Sequence, residues 1–140
     1  MGRSVVALDT SVLVYFIEDH PRFADAAEST LDQVRKGRLS AVFSQLGMVE
    51  VLTGPKKRGR DDLVGQYRHF ISTFPNLTLV GLDDEIVEVA SDLRAAYGIR
   101  TPDAIHLATA ITHEAAAFIT NDRRLHKVKE IKVELLSRST

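Results

Sequence analysis

Four acidic residues stand where a carboxylate serves either as a helix cap or as a ligand for a hard cation. Asp9 follows the apolar run Ser4 to Leu8, Asp122 follows the run Ala117 to Thr120, Asp103 lies in Thr101-Pro102-Asp103, and Glu50 is embedded in Leu46-Gly47-Met48-Val49-Glu50-Val51-Leu52. Taken singly, Asp9, Asp103 and Asp122 are equally well explained as helix-start acids that satisfy free backbone N–H groups and the helix dipole. Glu50 is harder to explain that way, because no lysine or arginine lies within four residues of it and an apolar helix rarely buries a carboxylate without a partner. If the four converge, each pair of charges ~4 Å apart costs on the order of 4 kcal/mol at an effective dielectric near 20, and a divalent cation relieves that repulsion. The chain has no cysteine, so any metal sits on oxygen or nitrogen ligands, and the hard oxygens of these carboxylates select Mg²⁺ or Mn²⁺ over zinc. Such ions lower the pKa of a bound water and stabilise a leaving oxygen, the chemistry of phosphodiester hydrolysis without a covalent nucleophile. No better catalyst is offered: His20, His69, His113 and His126 show no ligand spacing, and His106, one turn after Asp103, could approach the site, with helix packing the favoured reading.

The elements that must position these acids alternate along the chain. Ser4 to Leu8, Leu39 to Phe43, Leu77 to Val80 and Ala117 to Thr120 are short apolar runs of the kind that form strands buried on both faces, and Ile131 to Leu135 is a candidate edge strand. Between them, Leu13, Phe16 and Ile17 recur at helical spacing, and a second helix runs from about Pro21 to Lys36, closed by Gly37. Ser44 is expected to cap a three-turn helix carrying Glu50, with Gly54-Pro55 as its stop. Asp61 to Phe74 bears a one-sided apolar stripe, as does the helix opened by Asp83, Asp84 and Glu85 and ended by Gly98. Thr101 as N-cap and Pro102 in the first turn start a helix carrying Asp103, and Asp122 caps a last short helix from Arg123 to Val128. This order predicts an α/β sandwich with a mostly parallel sheet of four or five strands. In such sheets ligands gather outside the carboxyl ends of the strands, where Asp9 and Asp122 fall.

Bulk properties narrow the setting. A chain of 140 residues fits one domain, and 44% hydrophobic with 26% charged residues is the profile of a folding, globular chain. The N-terminal apolar run is interrupted by Asp9, is too short to span a bilayer and lacks a small-residue cleavage site, so a cytoplasmic protein is expected and no membrane partner. A net charge of −1 carries no global sign of nucleic-acid binding, and local clusters matter more. Lys56, Lys57, Arg58 and Arg60 follow the Glu50 helix, and Arg123, Arg124, Lys127 and Lys129 follow Asp122; each set is either a phosphate-binding patch or a solvated face.

The segments VALDTSVLV, MVEVL, TPDAIHLATA and FITNDRRL resemble, in order and spacing, the four acidic motifs of PIN-domain nucleases, across nearly the whole chain. The resemblance implies a Rossmann-like three-layer α/β/α PIN fold spanning residues 1–140, with Asp9, Glu50, Asp103 and Asp122 as metal ligands for Mg²⁺ or Mn²⁺ and RNA as the substrate. Ser11 and Thr120 match positions whose hydroxyls support metal or water, or they only cap helices. A compact PIN protein without an appended module is similar to VapC-type toxins, which implies a cognate antitoxin partner and a homodimer. Arg123, Arg124, Lys56, Lys57 and Arg58 are then candidates for RNA or antitoxin contact.

Competing classes fit less well. A phosphatase of the haloacid dehalogenase type needs a second aspartate two residues after the first, where this chain has Ser11, and a response-regulator receiver needs paired acids near the N-terminus, whereas Asp83 and Asp84 lie in the wrong element. Two alternatives stay open: a catalytically silent PIN domain that binds RNA or protein, and a PIN nuclease of RNA maturation that has no antitoxin.

Overall fold

The structure is a computed structural model and describes residues 4–137. Its five strands are β1 (Ser4–Leu8), β2 (Leu39–Ser44), β3 (Leu77–Val80), β4 (Ala117–Thr120) and β5 (Val133–Leu135). They form one sheet in the order β3-β2-β1-β4-β5, with every neighbouring pair parallel. Parallel neighbours cannot be joined by hairpins, so the connections pass through α1 (Thr10–Ile17), α2 (Ala24–Arg35), α3 (Leu46–Lys57), α4 (Asp61–Thr73), α5 (Asp84–Tyr97), α6 (Thr101–Thr112) and a 3₁₀ helix (Arg123–Lys127).

Both faces of the sheet are covered, which is why its strands read as continuous apolar runs rather than alternating ones. On one face Leu8, Phe43 and Ile119 pack with Leu13, Leu31, Val51 and Tyr67 from α1 to α4; on the other Ala7, Val42 and Phe118 pack with Ile86 and Leu93 of α5 and Leu107 of α6. Successive residues of a strand point to opposite faces, so each central strand feeds both cores, and the result is a three-layer α/β/α sandwich. The chain winds outward from β1 to β2 and β3, then returns to the other side of β1 with β4. The switch point therefore lies between the carboxyl ends of β1 and β4.

The element order agrees with the sequence expectation, and several boundaries differ. Gly54-Pro55 does not stop α3, which runs on to Lys57. Proline forfeits its N–H bond and its ring crowds the carbonyl four residues back, yet the ring of Pro55 is buried and the Arg58 N–H still reaches the Gly54 carbonyl at 3.1 Å, so the helix closes one turn later. Lys56 and Lys57 thus belong to the last turn of α3 rather than to a loop, favourable for cations at a helix C-terminus. Ser44 ends β2 instead of standing as the N-cap, although its hydroxyl accepts the Leu46 N–H at 3.2 Å. α2 begins at Ala24, because the ring nitrogen Nδ1 of His20 accepts the N–H groups of Arg22 and Phe23 (3.0 and 3.2 Å) and holds those residues in a turn. Thr101 is the first helical residue of α6, after an extended Arg100 that makes no side-chain cap. The last short helix is 3₁₀ and stops at Lys127, and β5 starts at Val133. Gly98 closes α5 as expected, in a left-handed conformation (φ 66°) with its N–H on the Arg94 carbonyl. No helix among the described residues is long and apolar enough to cross a membrane.

Candidate active site

The carboxylate nearest the switch point is held by the backbone that ends the two central strands. Asp9 extends β1 by donating its N–H to the Ile119 carbonyl (2.9 Å), which fixes its side chain beside β4. Its Oδ1 accepts the Thr10 N–H at 2.8 Å and its Oδ2 accepts the Thr120 hydroxyl at 2.5 Å. Thr120 is fully buried, and its Oγ1 in turn accepts the Asp122 N–H at 3.1 Å, so one hydroxyl ties the two aspartates together. Burial raises the Asp9 carboxyl above its usual range, outweighing the lowering effect of His106 and of the Thr120 and Thr10 hydrogen bonds.

Glu50 reaches the same corner from α3. Its Oε1 accepts the Thr10 hydroxyl at 2.7 Å and lies 2.6 Å from His106 Nε2. The hydrogen bond from His106 is the main reason the Glu50 carboxyl is held below its usual range. The sequence reading of His106 as a packing residue is therefore incomplete. The ring is indeed buried, only 2% exposed and flanked by Phe43 and Phe118, yet its Nε2 edge faces Glu50. The one-turn spacing from Asp103 is the signal that points to it. Glu50 is not buried on an apolar helix; it lies on the exposed side of α3, and its partner is an imidazole rather than a lysine or arginine.

Asp103 sits in the first turn of α6 with Arg100 Nε 3.9 Å from its Oδ2. Its carboxyl is raised first by burial and then by the charge of Asp9, with Asp122 adding to the effect and Arg100 opposing it. Asp122 caps the 3₁₀ helix through the Arg124 N–H (3.0 Å) and is gripped by the Arg124 guanidinium, Nε on Oδ1 at 3.0 Å and the terminal nitrogen on Oδ2 at 2.7 Å. That grip lowers the Asp122 carboxyl. Arg124, expected to be available to a partner, is thus engaged within the chain, while Arg58 pairs with Glu18 (3.2 Å) and Arg123 makes no ion pair among the described residues. Thr10 and Asn121, which lie within the quoted motifs, and Arg100 and Tyr15, which do not, also belong to this corner.

The fit of this corner to a divalent cation rests on its donor chemistry. Among the described residues no three carboxylate or imidazole groups stand close enough to ligate one ion together. The four acids nonetheless share one place: Thr10 and Thr120 bridge Glu50 and Asp122 to Asp9, and Asp103 feels the charge of Asp9 and Asp122. Asp9, Ser11 and Asp122 line one pocket of about 290 Å³ with Tyr15 and Asn121. The Ser11 hydroxyl is buried without a hydrogen-bond partner among the described residues, a group that costs free energy unless something polar satisfies it. An oxygen-only donor set, two aspartates raised by burial and an orphaned hydroxyl fit a hard cation with its waters.

A parallel three-layer sandwich with acids gathered at the switch point between its central strands defines the class as an α/β protein with an acidic cleft. The family model of the PIN domain matches residues 6–131, and the chain belongs to the PIN domain family. Solved structures of the same fold include a chain of VapBC2 from Rickettsia felis bound to a promoter DNA fragment (TM-score 0.78, 19% identity, 95% of this chain and 99% of that one). A chain of DNA-bound VapBC from Salmonella typhimurium is similar at TM-score 0.76, 17% identity, 96% of this chain and 98% of that one. Mycobacterium tuberculosis VapC20, described as a sarcin-ricin loop cleaving toxin, is similar at TM-score 0.68 and 14% identity, over 91% of this chain and 98% of that one. No curated protein sequence matches significantly.

Proposed function

We propose that this PIN protein is a metal-dependent endoribonuclease, with Asp9, Glu50, Asp103 and Asp122 holding Mg²⁺ or Mn²⁺ and Ser11 and Thr120 supporting them, and that it is the toxin of a VapBC-type pair. Residues 1–140 act as one PIN unit, in the cytoplasm, as a homodimer restrained by a cognate antitoxin. The observation that carries the reading is the unrelieved chemistry at the ends of β1 and β4: Asp9 raised by burial, and Asp103 raised by burial and by the charge of Asp9, beside a buried Ser11 hydroxyl without a partner among the described residues. The chain's own residues prepare the corner. Thr10 and Thr120 orient the two oxygens of Asp9, and His106 fixes Glu50 in its ionised form. When bound, the cation supplies an activated water and stabilises the leaving oxygen of the phosphodiester. Arg123, Lys56 and Lys57 are the exposed cations for phosphate, joined by Arg58 and Arg124 if RNA or antitoxin draws them from Glu18 and Asp122. The toxin assignment draws on the VapBC fold neighbours and on a further fold neighbour from Klebsiella pneumoniae described as a toxin–antitoxin complex.

The test is cleavage of a mixed RNA pool by the purified chain with Mg²⁺, with Mn²⁺ and with EDTA, alongside Asp9→Asn. Metal-dependent cleavage that disappears in EDTA and in the variant is expected. A second reading, a catalytically silent module that binds RNA or protein, draws on the Arg124 grip on Asp122, and it prevails if folded, partner-free protein cleaves nothing with either metal. Loss of the antitoxin arm alone, shown by the absence of a neighbouring gene for a small DNA-binding partner, would leave a nuclease of RNA maturation.

A further inference from the structure

Beside the acidic pocket lies a wider open cleft of about 980 Å³. The two share a wall: Tyr15 and Asn121 line both, and the Asn121 amide donates to the Tyr15 hydroxyl at 2.7 Å, fixing the ring between them. Tyr15 belongs to an aromatic group. Its ring stacks on Phe23 (centroids 5.1 Å apart, 18° between planes) and meets the His20 ring at 4.6 Å. His20 accepts two backbone N–H bonds at Nδ1, so its ring is locked in place and its proton resides on Nε2. The α1–α2 connection, held in a turn by that histidine, thus carries the His20 and Phe23 rings to the Tyr15 ring of α1.

The charge of this cleft is unlike that of the chain. With 19 acidic residues in the sequence, none lines it, whereas Arg22 and Arg123 do, both exposed and neither in an ion pair among the described residues. The Tyr15–Phe23 stack, itself packed against the core, stands beside two arginines without an ion pair among the described residues, and an aromatic platform next to a phosphate clamp is the combination that holds single-stranded nucleic acid. A peptide occupant of a toxin cleft would find apolar surface here, but an acid-free rim with two cations favours a polyanion over a protein segment.

Resting on the reading of the acids as an RNA-cleaving centre, we propose that this cleft is the specificity subsite of the enzyme: it takes one unpaired base flanking the scissile phosphate, stacked on Tyr15 and Phe23, with Arg22 and Arg123 on the adjoining phosphates. Tyr15 and Asn121, shared by both pockets, set the spacing between the base held and the bond presented to Asp9. Duplex RNA cannot enter, because its bases are not free to stack on a side chain.

The experiment uses a single-stranded hexanucleotide with 2′-deoxy sugars and one 2-aminopurine, bound in EDTA so that no cleavage is required. Stacking quenches the probe's fluorescence on binding. Phe23→Leu, which keeps apolar volume but removes a ring face, is expected to lose the quench and weaken binding roughly five-fold or more, within the range for loss of one stacked base. Arg123→Gln, a surface change that leaves the fold intact, is expected to lower the slope of log affinity against log salt by about one. In the metal-containing reaction on the RNA pool, both variants cut with a flattened base preference at one position beside the cleavage point. Unchanged quench, salt slope and cleavage pattern in Arg123→Gln and in Phe23→Leu with a normal melting curve would overturn the subsite, as would equal binding of a blunt duplex or a cleft occupied only by a protein partner. If the wild type cleaves nothing with any metal but shows the Phe23-dependent quench, the base-binding cleft stands and the nuclease reading falls; cleavage indifferent to both variants has the opposite meaning.

Discussion

Replacing Gly47 by alanine sets two effects of opposite sign against each other. Alanine is the better helix former by about 1 kcal/mol, and Gly47 lies within α3 in an ordinary helical conformation, so propensity alone predicts a more stable protein. Packing predicts the reverse. A Cβ at residue 47 would lie 2.1 Å from Cζ of Phe43, with the two Cε carbons at 2.6 and 2.8 Å, far inside van der Waals contact. The Phe43 ring is completely buried and is backed by His106 at 6.1 Å between ring centres, so it has little room to retreat. Overpacking of a core typically costs 1–3 kcal/mol and occasionally more, and a clash with a confined ring belongs at the upper end. Net of propensity, Gly47→Ala should destabilise by about 2 kcal/mol, which for a chain of this length lowers Tm by about 6–8 °C. The effect should not stop at stability, since α3 carries Glu50 one turn further on and Phe43 pushes toward the His106 that holds it. Urea denaturation and thermal melting of wild type, Gly47→Ala and Gly47→Ala with Phe43→Leu supply the assay. The double variant should recover part of the loss by making room. A single variant as stable as wild type, or a double variant no better than the single, would refute the claim that close approach of α3 to β2 is what requires glycine.

Other outcomes follow from the same geometry. Burial raises the Asp9 carboxyl, so the folded chain holds that proton more tightly than the unfolded chain does; the associated stability is present below the ordinary carboxylate pKa and is lost as pH rises through the raised value. In EDTA at pH 7, Asp9→Asn should therefore melt higher than wild type, whereas added Mg²⁺ should raise the wild-type Tm and leave the variant unmoved; a variant that melts lower in EDTA contradicts this. His106→Ala removes a buried ring and the partner of Glu50, and is expected to cost about 2–4 kcal/mol in urea unfolding. His106→Gln, which can still donate to Glu50, should weaken Mn²⁺ binding less than His106→Ala does, the loss for the latter being roughly 10–100-fold by titration calorimetry. Tyr67→Phe deletes the hydroxyl that donates to Glu18 at 2.5 Å from a fully buried ring, and should lose about 0.5–1.5 kcal/mol in denaturant midpoint analysis, because the exposed Glu18 keeps water and Arg58 as partners.

Much of this protein was determined by local sequence pattern. Apolar runs too short for helices and too continuous for half-exposed strands marked four of the five strands, and their alternation with amphipathic stretches implied a parallel sheet, because parallel neighbours require crossovers. Asp9 and Asp122 were legible as neighbours because both follow strands, whereas the grouping with Glu50 and Asp103 came from the resemblance to the PIN motifs and not from element order. What the sequence could not decide is whatever depends on two distant segments meeting. Whether Gly54-Pro55 ends α3 turned on the packing of the Pro55 ring, and whether His106 is core or site turned on Glu50 arriving 56 residues earlier in the chain. Arg124 read as a free cation until the 3₁₀ turn brought its guanidinium back onto Asp122, and the aromatic cleft exists only because Tyr15, Phe23 and Arg123 come from segments that the strand order places side by side. Hydrogen bonding and periodicity act over a few residues and are written along the chain; ion pairing, desolvation and cavity shape act across the tertiary fold, so these appear only when it closes.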